Sequence, residues 1–219
     1  MMDNYPRTLS SFFMDGSPAG RVLYTLSNWS GAGLRIPRDL VRLTSQTRTE
    51  LYRTGVYLLF GKDSKNPNQA RARAGQGGIL KQRLFDHLAT IDWWDECVVF
   101  FANDGSLNTG HTRYLELMLI REAKKAGKYL VTQNEPSEDT FDLTEQDRAQ
   151  VDEFFSYVKL IMSSVGHPVL QQEKTPQTEE ESVFVIRSKL DDGTAFEAMG
   201  RKSIGAQLRF WRVPSQTRR

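Results

Sequence analysis

The chain contains a single cysteine, Cys97, in 219 residues. An internal disulfide and a cysteine-rich zinc site are both excluded. Histidine is almost as scarce: His87, His111 and His167 are the only three, and they match no zinc-ligand spacing. No run approaches the ~18 consecutive apolar residues of a membrane-spanning helix. The first ten residues hold no apolar stretch, so no secretory signal is expected and the cytoplasm is the expected compartment. A Gly-x-Ser-x-Gly turn, a Gly-Lys-Ser/Thr phosphate loop and a dinucleotide fingerprint are missing, which sets aside the hydrolase and nucleotide-binding classes those motifs mark.

What is present suits a folded core. Apolar residues make up 39% of the chain, with four Trp, twelve Phe and seven Tyr. The net charge of +2 conceals segregation. Residues 61–87 hold six Lys/Arg against Asp63 and Asp86, residues 135–153 hold eight Asp/Glu against Arg148, and residues 200–219 hold six Lys/Arg and no acid. Basic segments hidden in a balanced total suit one face meeting phosphates. Solvated surface remains the plainer explanation of such blocks.

Residues 9–14 and 21–26 are β-prone and read as a hairpin with a longer loop. Residues 37–50 read as a short helix. Residues 55–60, apolar throughout, predict a strand buried on both faces. A second strand is expected at 70–74, then Gly75, Gly77 and Gly78 opening a helix over 79–89. Residues 97–101 predict a third strand, with Cys97 as core. Trp93 and Trp94 read as core or interface, with base stacking a lesser alternative. Helices are expected at 109–126, with Gly127 as C-cap, and at 145–165, with Thr144 as N-cap and Asp147 three residues on. Residues 171–181 read as a linker, and 183–187 and 208–213 as strands. The fold class is α+β: a small antiparallel sheet flanked by helices, an N-terminal hairpin appendage over 1–50, a central domain over 51–170, and a weak tail over 171–219.

Glu116 is the only charge within residues 114–120 of an otherwise apolar helix. It lies either on a narrow wet line or at a pocket edge, sharing its face with Thr112 and Ile120. Arg83 and His87, four apart, project from one helix face. The planar donor fork of arginine beside a glycine-rich turn suits a phosphate.

Taken in order, these pieces resemble the GIY-YIG nucleases. Gly55-Val56-Tyr57 stands where that family has its first motif and Ala74-Gly75 where the second ends. Arg83 and His87 then match its helical Arg and His, Glu116 its metal-binding glutamate, and Asn134 its later asparagine. The resemblance runs over roughly residues 9–170. It extends to a bacterial subgroup through Asp15-Gly16, Asn28-Trp29, Pro37-Arg38, Asn108, His111 and Asn134-Glu135-Pro136. It implies hydrolysis of a phosphodiester, in DNA by expectation, with Mg²⁺ or Mn²⁺ held by Glu116. Arg83 would neutralise the scissile phosphate, Tyr57 would orient or deprotonate the attacking water, and Asn134 would position the sheet edge or a catalytic neighbour by hydrogen bonds. His87 would contact phosphate or share the proton work. Arg73, Lys81, Arg83 and His87 are the expected nucleic-acid contacts; Asn108 and His111 have no assigned role. One motif position departs: Arg73 stands where the family has a tyrosine. An arginine cannot serve as base, but it can grip phosphate and should pull the Tyr57 phenol down. The alternatives to an active nuclease are a nucleic-acid-binding module without catalysis and a scaffold protein.

Overall fold

In a computed structural model the structure describes residues 6–63, 66–137, 143–172, 183–189, 195–202 and 208–212. The chain divides into two units, Met1–Gln172 and Glu173–Arg219. The first is an α+β domain on a six-stranded sheet. Its strands are β1 (Leu9–Phe13), β2 (Val22–Leu26), β3 (Gly31–Pro37), β4 (Gly55–Lys62), β5 (Ala70–Gly77) and β6 (Trp94–Ala102). They lie in the order β1-β2-β3-β6-β4-β5, every neighbour antiparallel. Four helices accompany them: α1 (Val41–Thr47), α2 (Leu80–Thr90), α3 (Thr109–Ala126) and α4 (Glu145–Ser164). Among the described residues no helix is long and apolar enough to cross a membrane.

β4 shows why its apolar run has no polar face. Side chains alternate across a strand, and both faces are covered. Val56, Leu58 and Phe60 join Leu115, Leu119, Phe155 and Ile161 in one core layer. Tyr57 and Leu59 join Val41, Leu80, Leu84 and Trp94 in the other. Cys97 is fully buried in that second layer.

Two expectations need correction, and one strand escaped the sequence reading. The N-terminal hairpin is not an appendage: β2 pairs with β3 and β3 with β6, so it is the outer part of the same sheet. β3 escapes a propensity count because Gly31, Gly33 and Pro37 depress it. The structure explains the glycines by space. The Trp29 ring covers Gly31, and a Cβ at Gly33 would stand 2.9 Å from Phe100 Cε1. The glycine-rich segment is also not a helix start, because β5 continues to Gly77 before α2 begins at Leu80.

The helix boundaries follow their caps. Gly127 adopts φ 66° at the end of α3, the left-handed conformation that glycine tolerates. Thr144 and Asp147 form a reciprocal capping box at the start of α4.

In the second unit β7 (Val183–Lys189), β8 (Ala195–Lys202) and β9 (Leu208–Arg212) form an antiparallel sheet in that order. β8, rich in Ala and charge, has no counterpart in the strands expected from sequence. Except for Gln171 and Gln172, the expected linker lies outside the described residues, as do residues 138–142 of the acidic segment and residues 213–219 of the basic end.

Candidate active site at the edge of the sheet

β5 is an edge strand, and its odd-numbered residues share one face. Gly75 lies opposite Tyr57 on β4, and Arg73 opposite Leu59. A Cβ at Gly75 would collide with the Tyr57 hydroxyl and ring, and one at Gly77 would stand 2.7 Å from Arg83 Cγ. Neither glycine has positive φ. They are needed for room: Gly75 for the phenol and Gly77 for the Arg83 stem.

Tyr57 is 1% exposed, and its Oη lies 2.6 Å from His87 Nε2 on α2. Burial pushes the phenol up to about 12, outweighing the opposing charge of Arg83; Glu116 adds to the rise and Arg73 opposes it. The expected downward pull of Arg73 on the phenol is present, but burial outweighs it, because removing phenolate from water costs more. His87 is lowered to about 4, by burial first and then by the charges of Arg73 and Arg83. Both partners are neutral near pH 7.

Glu116 reaches this cluster from α3, which packs along β5. Thr112, one turn earlier, is fully buried and donates from Oγ1 to Gln76 Oε1 at 3.3 Å. Glu116 itself is half-buried, and burial raises its carboxyl against the lowering charges of Arg83, Arg73 and Arg113. Among the described residues no hydrogen bond or ion pair within 4.0 Å occupies this carboxylate. That leaves its oxygens available to a cation. Among the described residues no three His, Cys, Asp or Glu side chains converge; in this cluster Glu116 is the carboxylate that could hold a metal. That fits magnesium, which keeps several waters and takes phosphate oxygens as ligands.

The structure thus brings together Tyr57, Arg73, Arg83, His87 and Glu116, and adds Arg113, which sequence reasoning missed. Its signal was the i, i+3 spacing to Glu116. Arg83 is exposed, with Asp86 at 3.8 Å. Lys81 sits apart: its Nζ donates to Tyr52 Oη at 2.8 Å and lies over the Tyr52 and Phe85 rings. Asn108 caps α3, accepting from the His111 N–H at 2.9 Å. The buried His111 ring meets Asp147 at 3.2 Å. That pair ties α3 to α4 and stays outside the Tyr57 cluster.

Asn134 is exposed. The edge of β5 is held instead by its neighbour Gln133, which accepts from Ala74 N and donates to Ala74 O, both at 2.8 Å. One amide side chain offers the donor and the acceptor that a bare strand edge needs. Leu130 continues the cover, exchanging backbone hydrogen bonds with Ala70 and Ala72.

Compared with models of protein families, with curated proteins and with solved structures, the chain matches none.

Proposed function

We propose that this protein is a metal-dependent endonuclease hydrolysing phosphodiester bonds in DNA, its site the Tyr57–His87–Arg83–Glu116 cluster. The observation that carries this is the convergence of four differently acting groups at one sheet edge. They are a buried phenol on an imidazole, an exposed guanidinium and an unpaired half-buried carboxylate under the charge of three arginines. They stand in the order and on the element types of the GIY-YIG motifs they resemble.

Glu116 would hold Mg²⁺ or Mn²⁺, which as a Lewis acid would stabilise the leaving oxygen. Arg83 places a planar fork where charge develops on the phosphate. With His87 in its Nδ1–H tautomer, Tyr57 donates to Nε2 and its oxygen accepts from water. As water gives its proton to Tyr57 Oη, the phenolic proton would pass in the same step to His87 Nε2, and the hydroxide so formed would attack phosphorus as the leaving oxygen departs.

One observation favours a second reading, a nucleic-acid-binding module without turnover. The phenol is held near 12 and the imidazole near 4, so the pair is a weak base, and Arg73 in place of a second tyrosine cannot help.

Plasmid nicking with a titration of Mg²⁺ or Mn²⁺, on wild type and Glu116→Gln, separates the two. Metal-dependent cleavage abolished by Glu116→Gln, with melting unchanged, is expected. Wild type that binds DNA but cleaves nothing at any metal concentration establishes the binding module instead.

A further inference from the structure

Arg73 carries an orphan. Its Nε is buried and has no hydrogen-bond partner. Arginine never gives up its charge, and a buried donor on a charged group left unpaired costs ~1–3 kcal/mol or more. Nearby Arg71 is satisfied otherwise, by Asp63 at 3.3 Å and the Trp93 face. Among the described residues no carboxylate lies within ion-pair distance of Arg73. An acceptor-rich anion would supply the missing partner and match the charge.

The face of β5 says where that anion lies. Arg73, Gly75 and Gly77 are successive residues on one side of the strand. The Tyr57 hydroxyl sits over Gly75 and the Arg83 stem over Gly77. At ~3.3 Å per residue, Arg73 and the Arg83 stem are anchored roughly 13 Å apart, with the hydroxyl midway. Arg73 and the Arg83 stem thus stand on the Tyr57 face of the strand, one to either side of the phenol. The charges of both already act on Tyr57, His87 and Glu116. Arg73, Arg83 and Arg113 together outnumber Glu116 and the Asp86 beside Arg83, so anion binding here needs no metal.

We propose that Arg73 and Arg83 form a two-phosphate clamp, with the nucleic-acid backbone lying along β5 and successive phosphates on either side of the Tyr57 hydroxyl. The clamp rests on the proposed function only in taking the Tyr57 cluster as the strand's site. It makes Arg73 the residue that demands a second phosphate.

The test is calorimetric titration in EDTA with thymidine 3′,5′-bisphosphate, thymidine 5′-monophosphate and inorganic phosphate. The bisphosphate carries the two phosphates flanking one nucleoside, as in a strand. It should bind about tenfold tighter than the monophosphate, the size expected of one added charge-assisted contact. Arg73→Gln should bring the two affinities together, and Arg73→Lys should fall between; Lys is also the fallback variant if Gln fails to fold. Equal affinities in wild type, a preference that survives Arg73→Gln, or no binding of any ligand would each overturn the clamp. So would inorganic phosphate binding as tightly as the bisphosphate, which would mark a free-phosphate site. Nicking assays on the same preparations keep the two proposals apart. A bisphosphate preference without cleavage removes the nuclease and leaves the clamp; cleavage without the preference does the reverse.

Discussion

Alanine at position 75 would place a methyl group inside the Tyr57 side chain, 2.7 Å from Cε2 and closer still to Oη and Cζ. The backbone there has no positive φ, so in conformational entropy alone Gly→Ala should gain ~0.4–1 kcal/mol. Sterics act the other way. Tyr57 is 1% exposed and cannot swing aside without disturbing its core layer, and such overpacking costs ~1–3 kcal/mol. If the ring does turn, His87 loses its 2.6 Å contact, and the unpaired buried ring nitrogen adds ~1–3 kcal/mol. The expected net loss is about 2–4 kcal/mol. A domain of this size should then melt roughly 5–15 °C lower. The control is the same change in a Tyr57→Ala background, where the methyl enters vacated space and should be neutral or mildly stabilising. Urea unfolding of the four proteins yields the coupling between the positions. A coupling below ~0.5 kcal/mol would refute the idea that Gly75 is there to seat the phenol.

Gln133→Ala removes both hydrogen bonds to Ala74 and should cost ~1–3 kcal/mol, whereas Asn134→Ala, at an exposed position, should stay within ~0.5 kcal/mol. Equal losses in the two melting curves would return the edge-holding role to Asn134. His87 binds its proton more weakly folded than unfolded, at about 4 against an ordinary 6.5. The stability it contributes is complete above pH 6.5 and is lost as the pH falls towards 4. A shift of this size corresponds to about 3 kcal/mol at most. His87→Phe should therefore flatten the acid side of the stability curve; an unchanged acid slope would show that the imidazole protonates freely in the folded state.

The parts of the fold that were legible in sequence are those written locally. The run from Val56 to Phe60 needs no partner information to read as a two-face strand. The α3 and α4 boundaries carry their own chemistry in Gly127, Thr144 and Asp147. β3 was hidden because its glycines answer to rings elsewhere, Trp29 and Phe100, and a single strand's residues cannot announce that. The same holds at the site. Glu116 stood out as a lone charge in an apolar helix and Arg83 with His87 as a pair on one helix face, and the resemblance to a known pattern added Tyr57. Asn134 came from the resemblance alone, and Gln133 was missed because nothing local marks which amide meets the strand edge. Only the path of residues 130–133 beside β5 selects one. Likewise Gly75 and Gly77 suggested a phosphate-binding turn, and only the register of Gly75 opposite Tyr57 shows them to be clearances for side chains.

The arginines and the burial of the phenol act on Tyr57 in opposite directions, which bears on the proposed chemistry. Arg73 and Arg83 both favour phenolate, yet burial holds Tyr57 near 12, because their charge does not repay the water lost around a hydroxyl 1% exposed. The same two charges, acting with burial, keep His87 deprotonated. If the arginines bind phosphate as proposed, the same charges also hold the Tyr–His pair neutral. A phosphate bound between the arginines would reverse part of this. Its negative charge would offset theirs, raising the affinity of His87 for a proton while making phenolate still less favourable. Substrate binding would thus strengthen the imidazole as the final proton acceptor and leave the phenol as a conduit that never carries the charge itself. In that arrangement Tyr57 needs no lowered pKa to take part. It needs its hydroxyl held on His87, and the absence of a side chain at Gly75 leaves the room for that.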